Sequence, residues 1–398
     1  MLRKTFAALA LSCMISVGSQ KQFAIAQEGG PRIVGEVLTS ALADRGQATQ
    51  LRAFDVAPDG NAVAVLYATW TASQPSTGAE LWVALWDISS NMLAWKQRIG
   101  TDTSSGAERV RNANDLIFTA DESRLVALAV KRVWCLDAKK GGEPVSISPP
   151  DHVSGVPAQV RALRGTTVAI TYGQSEGESF DTQLIDVSSK DKMSGWTSSA
   201  APQSFSADGK LAIAVIPGYG AADLVVIDST TGAKLRTVPV ASVKRHPHDG
   251  VFAVAKFLDG TYVVVSSNHR IDRSEKHAAY SLEFIDASNG QLIREITPEY
   301  FRPGGQIVVA PNRNRFAVES VYARERDLLW DSPRPRDLRV NLFVFSRNGT
   351  TPEATIPNVY ASLPGGKGEP LRLSSDGSVL AVSESPSGSI KIFQIKAP

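Results

Sequence analysis

Three features of the sequence predict an all-β fold: a seven-bladed β-propeller of four-stranded antiparallel blades, with the ring closed by an N-terminal strand. A tight Asp-Gly-type turn recurs along the chain, short apolar strands flank each turn, and amphipathic helical patterns do not occur in the connections. A repeat of roughly 40–50 residues built from four short strands is typical of a propeller blade. The 398 residues are therefore expected to form one repeat domain rather than several separate cores.

The recurring turn joins the first strand of each unit to the second. Glycine and aspartate suit this turn, because glycine tolerates a positive φ and the aspartate side chain bonds to the backbone two residues on. A degenerate copy stands at Leu163-Arg164-Gly165. The other copies are Ala57-Pro58-Asp59-Gly60, Ala120-Asp121-Glu122-Ser123, Ala207-Asp208-Gly209, Leu258-Asp259-Gly260, Ala310-Pro311-Asn312-Arg313 and Ser375-Asp376-Gly377.

The second strand of each unit is almost wholly apolar instead of alternating, as in Ala62–Leu66 and Leu125–Ala129. A strand has this composition when both faces of its sheet are covered, as when sheets stack face to face around a ring. A parallel α/β protein also has apolar strands, but it needs amphipathic helices of about 10–15 residues between them. The linkers contain none, so the pattern favours stacked antiparallel blades.

The third strand of each unit ends in a common position that aligns the repeats. Aspartate fills this position in five units, and three of these continue as Asp-x-x-x-Gly, where the glycine allows a hairpin turn into an outer strand. The intervals between the aligned positions lie between 42 and 60 residues. The aligned segments are Leu85-Trp86-Asp87, Cys135-Leu136-Asp137, Leu184-Ile185-Asp186, Val226-Ile227-Asp228, Phe284-Ile285-Asp286, Val344-Phe345-Ser346 and Ile392-Phe393-Gln394.

These repeats resemble the WD40/YVTN-like propeller superfamily of bacterial exported proteins, over about residues 50–395. Within the aligned third strands, Trp86-Asp87 reproduces the Trp-Asp dipeptide of that superfamily. The resemblance implies the propeller fold. It also implies that second-to-third-strand loops and blade-to-blade loops emerge on one face. It carries little information about function.

The last unit stops at Ile395 without an outer strand, whereas Arg32–Leu38 is a spare strand-like segment near the start. A ring that takes its last outer strand from the N-terminal segment closes without a bare sheet edge. A loose leader, or a short helix through Leu38–Ala43, is the alternative. The predicted organisation is a signal peptide at 1–26, a leader with the closing strand at 27–50, and the propeller at 51–398, with units at about 51–98, 109–148, 156–196, 201–240, 249–297, 302–357 and 367–396.

The first 26 residues have the composition of a secretory signal peptide. A basic start at Leu2-Arg3-Lys4 precedes an apolar stretch, Phe6–Val17, and Ala24-Ile25-Ala26 offers a cleavage site before Gln27. The sequence thus predicts a secreted or periplasmic protein. An amphipathic first helix and a lipoprotein that uses Cys13 are the alternatives.

Cleavage there changes the formal net charge from +2 to −1, because it removes three basic residues and no acidic ones. The basic pI of the whole chain therefore does not indicate nucleic-acid binding. Cleavage also leaves Cys135 as the one cysteine, so we expect no internal disulfide. No later segment approaches 18 consecutive apolar residues, so no membrane insertion is expected.

Two neighbouring units carry long second-to-third-strand loops, Ser267–Tyr280 and Tyr322–Arg339, and basic and histidine residues precede the fifth unit. We predict that a protein or a small polar ligand binds across the fifth and sixth units on this loop face, because arginine and aromatic side chains dominate interface energetics. The candidate binding residues are His246, His248, Asp249, His269, Arg270, His277, Arg324, Arg326, Trp330, Arg334 and Arg336.

Two other interpretations of these loops remain open. His246, His248 and His269 are weak candidates for a metal site, since imidazole and carboxylate groups are metal ligands, but their spacing matches no ligand motif. In the second interpretation, the loops are solvated and their arginines pair with acidic residues of the same loops. We therefore assign no metal and no cofactor.

Nucleophilic catalysis has little support in the sequence. There is no Gly-x-Ser-x-Gly elbow and no Gly-rich phosphate loop before a helix. Cys135 lies within an apolar strand, where a thiol is usually buried and inert. We assign no catalytic residue and predict a monomeric, exported binding scaffold. The alternative is an exported propeller enzyme, such as a hydrolase, a lyase or a quinoprotein-dehydrogenase-like subunit, with its site on the same loop face.

Overall fold

The computed structural model shows the seven predicted blades as seven four-stranded antiparallel sheets. It describes residues 30–71, 78–104, 113–149, 153, 155–173, 179–217, 222–239, 252–260, 262–268, 280–296, 303–310, 312, 314–321, 340–359, 369–384 and 388–396. Within each of the first six blades the strands pair in chain order, from the innermost strand to the outermost.

The strands of the first three blades are β2 (Gln47–Val56), β3 (Ala62–Thr71), β4 (Ala79–Asp87) and β5 (Met92–Asp102); β6 (Asp115–Phe118), β7 (Arg124–Ala129), β8 (Arg132–Asp137) and β9 (Gly141–Ile147); and β10 (Val156–Ala162), β11 (Thr167–Gly173), β12 (Phe180–Asp186) and β13 (Asp191–Ser198).

The next three blades are β14 (Pro202–Phe205), β15 (Leu211–Pro217), β16 (Ala222–Asp228) and β17 (Lys234–Pro239); β18 (Phe252–Asp259), β19 (Tyr262–Asn268), β20 (Tyr280–Asp286) and β21 (Gln291–Ile296); and β22 (Pro303–Val309), β23 (Arg315–Val321), β24 (Val340–Ser346) and β25 (Ala354–Val359). The seventh blade combines β26 (Leu371–Leu373), β27 (Val379–Glu384) and β28 (Ser389–Gln394) with β1 (Arg32–Leu38).

The first strands of the blades line the centre of the ring. β2 contacts both β6 and β26, β6 contacts β10, and contacts run from β14 through β18 and β22 to β26. The second strands lie one layer outward and are covered on both faces, as their apolar sequences predicted. In β3, for example, Val63 and Val65 pack towards the seventh blade, while Ala64 and Leu66 pack towards the second.

The N-terminal strand closes the ring, as predicted. β1 pairs antiparallel with β28, from Arg32 opposite Gln394 to Leu38 opposite Ser389. A four-residue helix, α1 (Thr39–Leu42), follows directly, so the strand and the short helix that the sequence offered as alternatives both occur. The hydroxyl of Tyr67 donates to the carbonyl of Leu42 (3.3 Å), which ties α1 to the first blade.

The turns between the third and the outermost strands form contacts between neighbouring blades. The glycines of the three Asp-x-x-x-Gly turns all have positive φ, between 70° and 77°. An outer-strand tryptophan of the preceding blade covers two of these turns. Trp95 donates its indole N–H to the carbonyl of Ala138 (3.2 Å), and Trp196 donates to that of Ser229 (2.7 Å). Glycine is therefore needed here for close approach as well as for backbone conformation.

Replacing Gly232 with alanine is expected to destabilise the protein by on the order of 2–4 kcal/mol, from positive φ and overpacking together. Gly232 has φ +74°, and a Cβ there would overlap the Cβ of Trp196. Gly142→Ala is the matched control, because Gly142 has φ +70° but a Cβ there would meet no described atom within 4 Å. Equilibrium denaturation should show the larger loss for Gly232→Ala. Equal losses would mean that the tryptophan contact is unimportant.

Two further expectations concern the interior and the membrane. Cys135 is a free cysteine, 6% exposed, and burial raises the pKa of its thiol. It therefore has the environment of an inert core thiol.

Among the described residues, no helix combines the length and the apolar character that crossing a membrane requires.

Candidate functional site

Six ionisable side chains meet at the centre of the ring. Four of them occupy the same position on a first strand, two or three residues before the recurring turn: Asp55 on β2, Arg161 on β10, Lys256 on β18 and Arg372 on β26. The equivalence follows from the register, since these residues pair with the second-strand residues Ala64, Ala169, Val264 and Ala381. The other two are Asp115, which begins β6, and Glu369, just before β26. We call these six residues the central cluster.

Glu369 is the hub of the central cluster. Its Oε1 lies 2.6 Å from Nζ of Lys256 and 3.1 Å from Nη2 of Arg161, and its Oε2 pairs with Nη1 of Arg372. The partners belong to the fifth, third and seventh blades. The neighbours of the seventh blade in the ring are the sixth and the first. The bonds to the third and fifth blades therefore cross the central axis.

The ion pair between Asp115 and Arg372 also crosses the central axis, from the second blade to the seventh. Nη2 of Arg372 lies 3.1 Å from Oδ1 of Asp115, and Nη1 of Arg161 lies 2.7 Å from its Oδ2. Nε of Arg372 lies 3.2 Å from Oδ1 of Asp55. The cluster thus joins five blades through three acids and three cations, with no formal net charge.

The same side chains also satisfy the inner edges of the sheets. A first strand has no strand beside it on the side of the axis, so its backbone N–H groups need other acceptors. Asp55 accepts from the N–H of Phe118 on the next blade (2.8 Å), and Asp115 accepts from that of Val160 (3.3 Å). In the fourth blade, Gln203 accepts from the N–H of Ala255 (2.8 Å). The inner side chains therefore link neighbouring blades as well as opposite ones.

The net pKa shifts of the two acids Glu369 and Asp55 are opposite. Burial by itself raises the pKa of Glu369, but the charges of Arg161, Lys256 and Arg372 outweigh burial and hold this pKa well below its ordinary value. Burial also raises the pKa of Asp55, to about 6, because Arg372 and the N–H of Phe118 offset burial only in part. At neutral pH both groups are ionised, and Asp55 is the first to accept a proton as the pH falls.

Glu319 on β23 shows what burial does where none of the described cations compensates it. Its side chain is 7% exposed, and desolvation raises its pKa to about 8. A buried carboxyl group with no compensating charge favours its neutral form. Glu319 is thus mostly protonated at neutral pH, whereas Glu369 stays charged because three cations surround it.

We expect the loss in unfolding free energy that is caused by ionised Asp55 to depend on pH. Its pKa is about 6 in the folded state against 3.8 ordinarily, so the folded protein binds this proton more tightly than the unfolded chain does. The cost of ionising it is therefore present in full above about pH 6 and is relieved as the pH falls towards 4. The asparagine of Asp55→Asn is neutral at every pH, as the protonated aspartate is, so the variant lacks this pH dependence.

Denaturant unfolding of the wild type and of Asp55→Asn at pH values between 4 and 8 measures this effect. The difference in unfolding free energy should shift in favour of the variant as the pH rises, by on the order of 2–3 kcal/mol. Comparing the two proteins cancels the titration of groups that do not interact with Asp55. A difference that stays constant with pH would contradict the assignment.

The central cluster is built to hold charges in place. Each of its carboxylates accepts from at least two donors, and each of its cations contacts at least one carboxylate. A general acid or base needs a proton that it can exchange with a substrate within hydrogen-bond reach. The acids here bind protein groups instead, so the arrangement favours a structural role at the centre of the ring.

The candidate residues of the two long loops and of the connection before the fifth unit lie outside the described residues, so the structure leaves their positions untested. This applies to all eleven candidate binding residues, including the weak metal candidates His246, His248 and His269. Within the described ranges, no group of three or more histidine, cysteine, aspartate or glutamate side chains has an arrangement that suits a metal ion.

The recurring aspartates are turn-forming residues, as their repetition suggested. Asp228 accepts from the N–H groups of Thr230 and Thr231 at 2.8 and 2.9 Å. Asp186 accepts from the hydroxyl groups of Ser188 and Thr166, and these bonds lower its pKa to about 2.

Sequence reasoning aligned the second and third strands and so missed the central cluster. The signal was present in the first strands, where Asp55, Arg161, Lys256 and Arg372 each stand in an otherwise apolar context, two or three residues before the turn. A charged side chain on a strand that must be buried is expected to have a partner. Alignment of the first strands would have placed these four charges at one level of the ring.

The comparisons with known proteins concern the fold. No protein-family model and no curated protein sequence matches the chain. Among solved structures, hydrazine synthase of Kuenenia stuttgartiensis is similar with a TM-score of 0.53 and 14% identity, over 87% of this chain and 96% of that one. The β-propeller domain of Cps50 (Swd1) from Myceliophteria thermophila gives 0.54 and 12%, over 92% and 100%. The Dos1 propeller gives 0.51 and 11%, over 93% and 97%.

At these identities the likeness shows a shared fold and no shared activity. The solved structures include an enzyme as well as isolated propeller domains. The YVTN-like relationship stays a prediction, since no sequence family supports it. The chain is a seven-bladed β-propeller whose fold is that of the WD40-type propellers.

Proposed function

We propose that this chain is an exported propeller that serves as a binding scaffold for a protein or a small polar ligand. One observation carries the proposal: the acids and bases at the centre of the ring bind one another. Enzymes on this fold place their reacting groups on one face near the central channel, and here that region holds a charge-balanced cluster. Such a cluster stabilises a rigid ring that can present loops to a partner.

We place the binding surface on the loop face of the fifth and sixth units. β19 ends at Asn268 and β20 begins at Tyr280, while β23 ends at Val321 and β24 begins at Val340. The ends of these four strands lie at the edge of the ring from which the blade-to-blade connections also start. The two longest second-to-third connections of the sequence therefore leave adjacent blades on the same side.

Export is part of the proposal and rests on residues 1–26. Mass spectrometry of the secreted or periplasmic product should give Gln27 as the first residue. A lipidated Cys13 at the N-terminus would overturn this part of the proposal.

The binding test uses the mature protein as bait for proteins and metabolites extracted from the cell envelope of its source. Chemical crosslinking then maps the contact. Trp330→Ala and Arg270→Ala should each weaken capture of the recovered partner at least about fivefold. Lys210→Ala is the control, because this exposed lysine follows the first-to-second-strand turn of the fourth blade, on the opposite face.

Two outcomes would oppose the proposal. Full retention of binding after both long loops are shortened would place the binding surface elsewhere. A metal bound in stoichiometric amount, and lost in His246→Ala and His248→Ala, would favour the alternative of a propeller enzyme with its site on this face.

A further inference from the structure

A cleft opens between the second and third blades, away from the fifth and sixth units. Its volume is about 340 Å³, within the range of small-molecule sites. The β7–β8 turn and the outer strand β9 form one side, and Pro157 and Tyr172 of the third blade form the other. The described residues that line it include two cations, two serines and several apolar side chains, and none of them is acidic.

The two cations of the cleft are Lys131 and Arg132. Both side chains are exposed, and neither has an ion pair or a hydrogen bond with any described residue. Arg372 in the central cluster, by contrast, has carboxylates beside it. Here the hydroxyl-bearing residues Ser146 and Ser148 share the lining instead. The described lining of the cleft is thus positively charged and rich in donors.

The backbone of the β7–β8 turn supports a role for the lysine side chain. Val130 and Lys131 have φ values of +48° and +63°, the left-handed conformation of both central residues in a type I′ hairpin turn. Glycine and asparagine are favoured there, because other residues pay a steric cost of about 1 kcal/mol or more. Val130 packs against the core of the first two blades, which compensates for its strain. Lys131 is exposed and gains nothing comparable from the fold.

Tyr172 supplies an independent observation. Its side chain is 1% exposed, and its hydroxyl is buried with no hydrogen-bond partner among the described residues. Burial raises the pKa of this hydroxyl to about 12, so it is a donor at any physiological pH. A buried donor without an acceptor costs about 1–3 kcal/mol, and such groups are uncommon in native proteins.

The equivalent residue of the first blade shows that the missing partner is not a property of the position. Tyr67 on β3 and Tyr172 on β11 stand three residues after the equivalent residues Ala64 and Ala169. Tyr67 is equally buried, and its hydroxyl donates to the carbonyl of Leu42. The third blade offers Tyr172 no such carbonyl within its described residues, and this tyrosine lines the cleft.

We propose that the cleft binds a small organic oxyanion, with the anionic group between Lys131 and Arg132 and with the hydroxyl of Tyr172 donating to the ligand directly or through one water. Arginine binds planar carboxylates and phosphates through paired N–H groups, and charge-assisted bonds of this kind are stronger than neutral ones. Val133, Ile147 and the prolines of the cleft suit an apolar ligand body. A carboxylate and a phosphate monoester share this chemistry, and the test separates them.

The test is calorimetric titration of the mature protein with phenyl phosphate and with benzoate at constant ionic strength, with benzyl alcohol as the uncharged probe. At least one of the two anions should bind with a Kd below about 1 mM, and benzyl alcohol should bind more weakly. Arg132→Gln and Lys131→Gly should each weaken binding about tenfold or more. The free Lys131→Gly protein should melt at the same temperature or higher, since glycine relieves the positive φ.

The tyrosine pair gives the matched control. Tyr172→Phe should weaken anion binding without lowering the melting temperature of the free protein, because it removes a hydroxyl that has no partner. Tyr67→Phe should lower the melting temperature and leave anion binding unchanged. Lys139→Gln, an exposed lysine in the outer turn of the second blade, should also leave binding unchanged.

Three results would overturn the proposal: neither anion binds, Tyr172→Phe binds as tightly as the wild type, or Lys139→Gln weakens binding as much as Arg132→Gln. The last result would indicate non-specific attraction to surface charge. Binding of phenyl phosphate alone would assign a phosphate monoester, and binding of benzoate alone would assign a carboxylate. Neither result depends on the partner surface of the fifth and sixth units.

Discussion

Glu369→Ala is expected to destabilise the propeller by about 3–5 kcal/mol, the usual cost of leaving buried charges without a partner. The change leaves Arg161, Lys256 and Arg372 facing two acids instead of three. Among the described residues, it also removes the one side chain that contacts cations of three blades. Chemical denaturation at neutral pH measures the loss.

The control for this prediction is Glu80→Ala. Glu80 pairs with Arg98 on the surface, with their side chains 40% and 50% exposed, and such pairs contribute less than about 1 kcal/mol. A second variant tests charge balance directly. Adding Lys256→Gln to Glu369→Ala should cost less than the sum of the two single changes, because the double variant restores equal numbers of acids and bases. Additive losses would indicate that Glu369 contributes through packing alone.

Starting the chain at residue 45 is expected to abolish the stable monomer, whereas starting at Gln27 leaves stability unchanged. The deletion removes β1, in which Val37 is fully buried, and α1, in which Leu42 is 2% exposed. It also uncovers the partners of β1 on β28, where Ile390 and Ile392 are fully buried. Each large side chain so affected is worth about 1.5–3 kcal/mol. The losses together approach the whole stability of a typical domain.

Circular dichroism melting and size-exclusion chromatography measure the effect of this deletion. An exposed β28 edge should also promote association of the truncated chains. A synthetic peptide of residues 30–45 added in excess should restore the melting temperature and the monomer, since the missing contacts all lie within that segment. An unchanged melting temperature in the truncated protein would show that β1 does not close the ring.

Much of the fold was predictable because a blade is specified by local chemistry. The third strands end at the aligned residues, as in Asp137, Asp228 and Asp286, because aspartate and the glycine after it define a turn within five residues. The closing strand was predictable for a similar reason: a unit without an outer strand needs one from elsewhere in the chain, and Arg32–Leu38 has the pattern of a strand.

The central cluster was not predicted, because its partners are far apart in the chain. Lys256 and Glu369 are separated by 113 residues, and Asp115 and Arg372 by 257. Which charges meet depends on the diameter of the ring and the level of each residue along its strand.

The cleft was beyond sequence reasoning for a different reason. Tyr67 and Tyr172 have equivalent positions, and only the surrounding backbone decides which hydroxyl finds an acceptor.

The pairing of β1 with β28 sets the order in which the molecule can be completed. β1 is the first strand of the ring to be synthesised, and its partner is the last, about 360 residues later. At roughly 5–20 residues per second, the gap between the two is on the order of 20–70 seconds. Throughout this interval β1 has no strand to pair with, and six blades are made before the seventh is complete. Closure is therefore the final folding event, and an interrupted chain that lacks β28 is left with two unpaired edges at once.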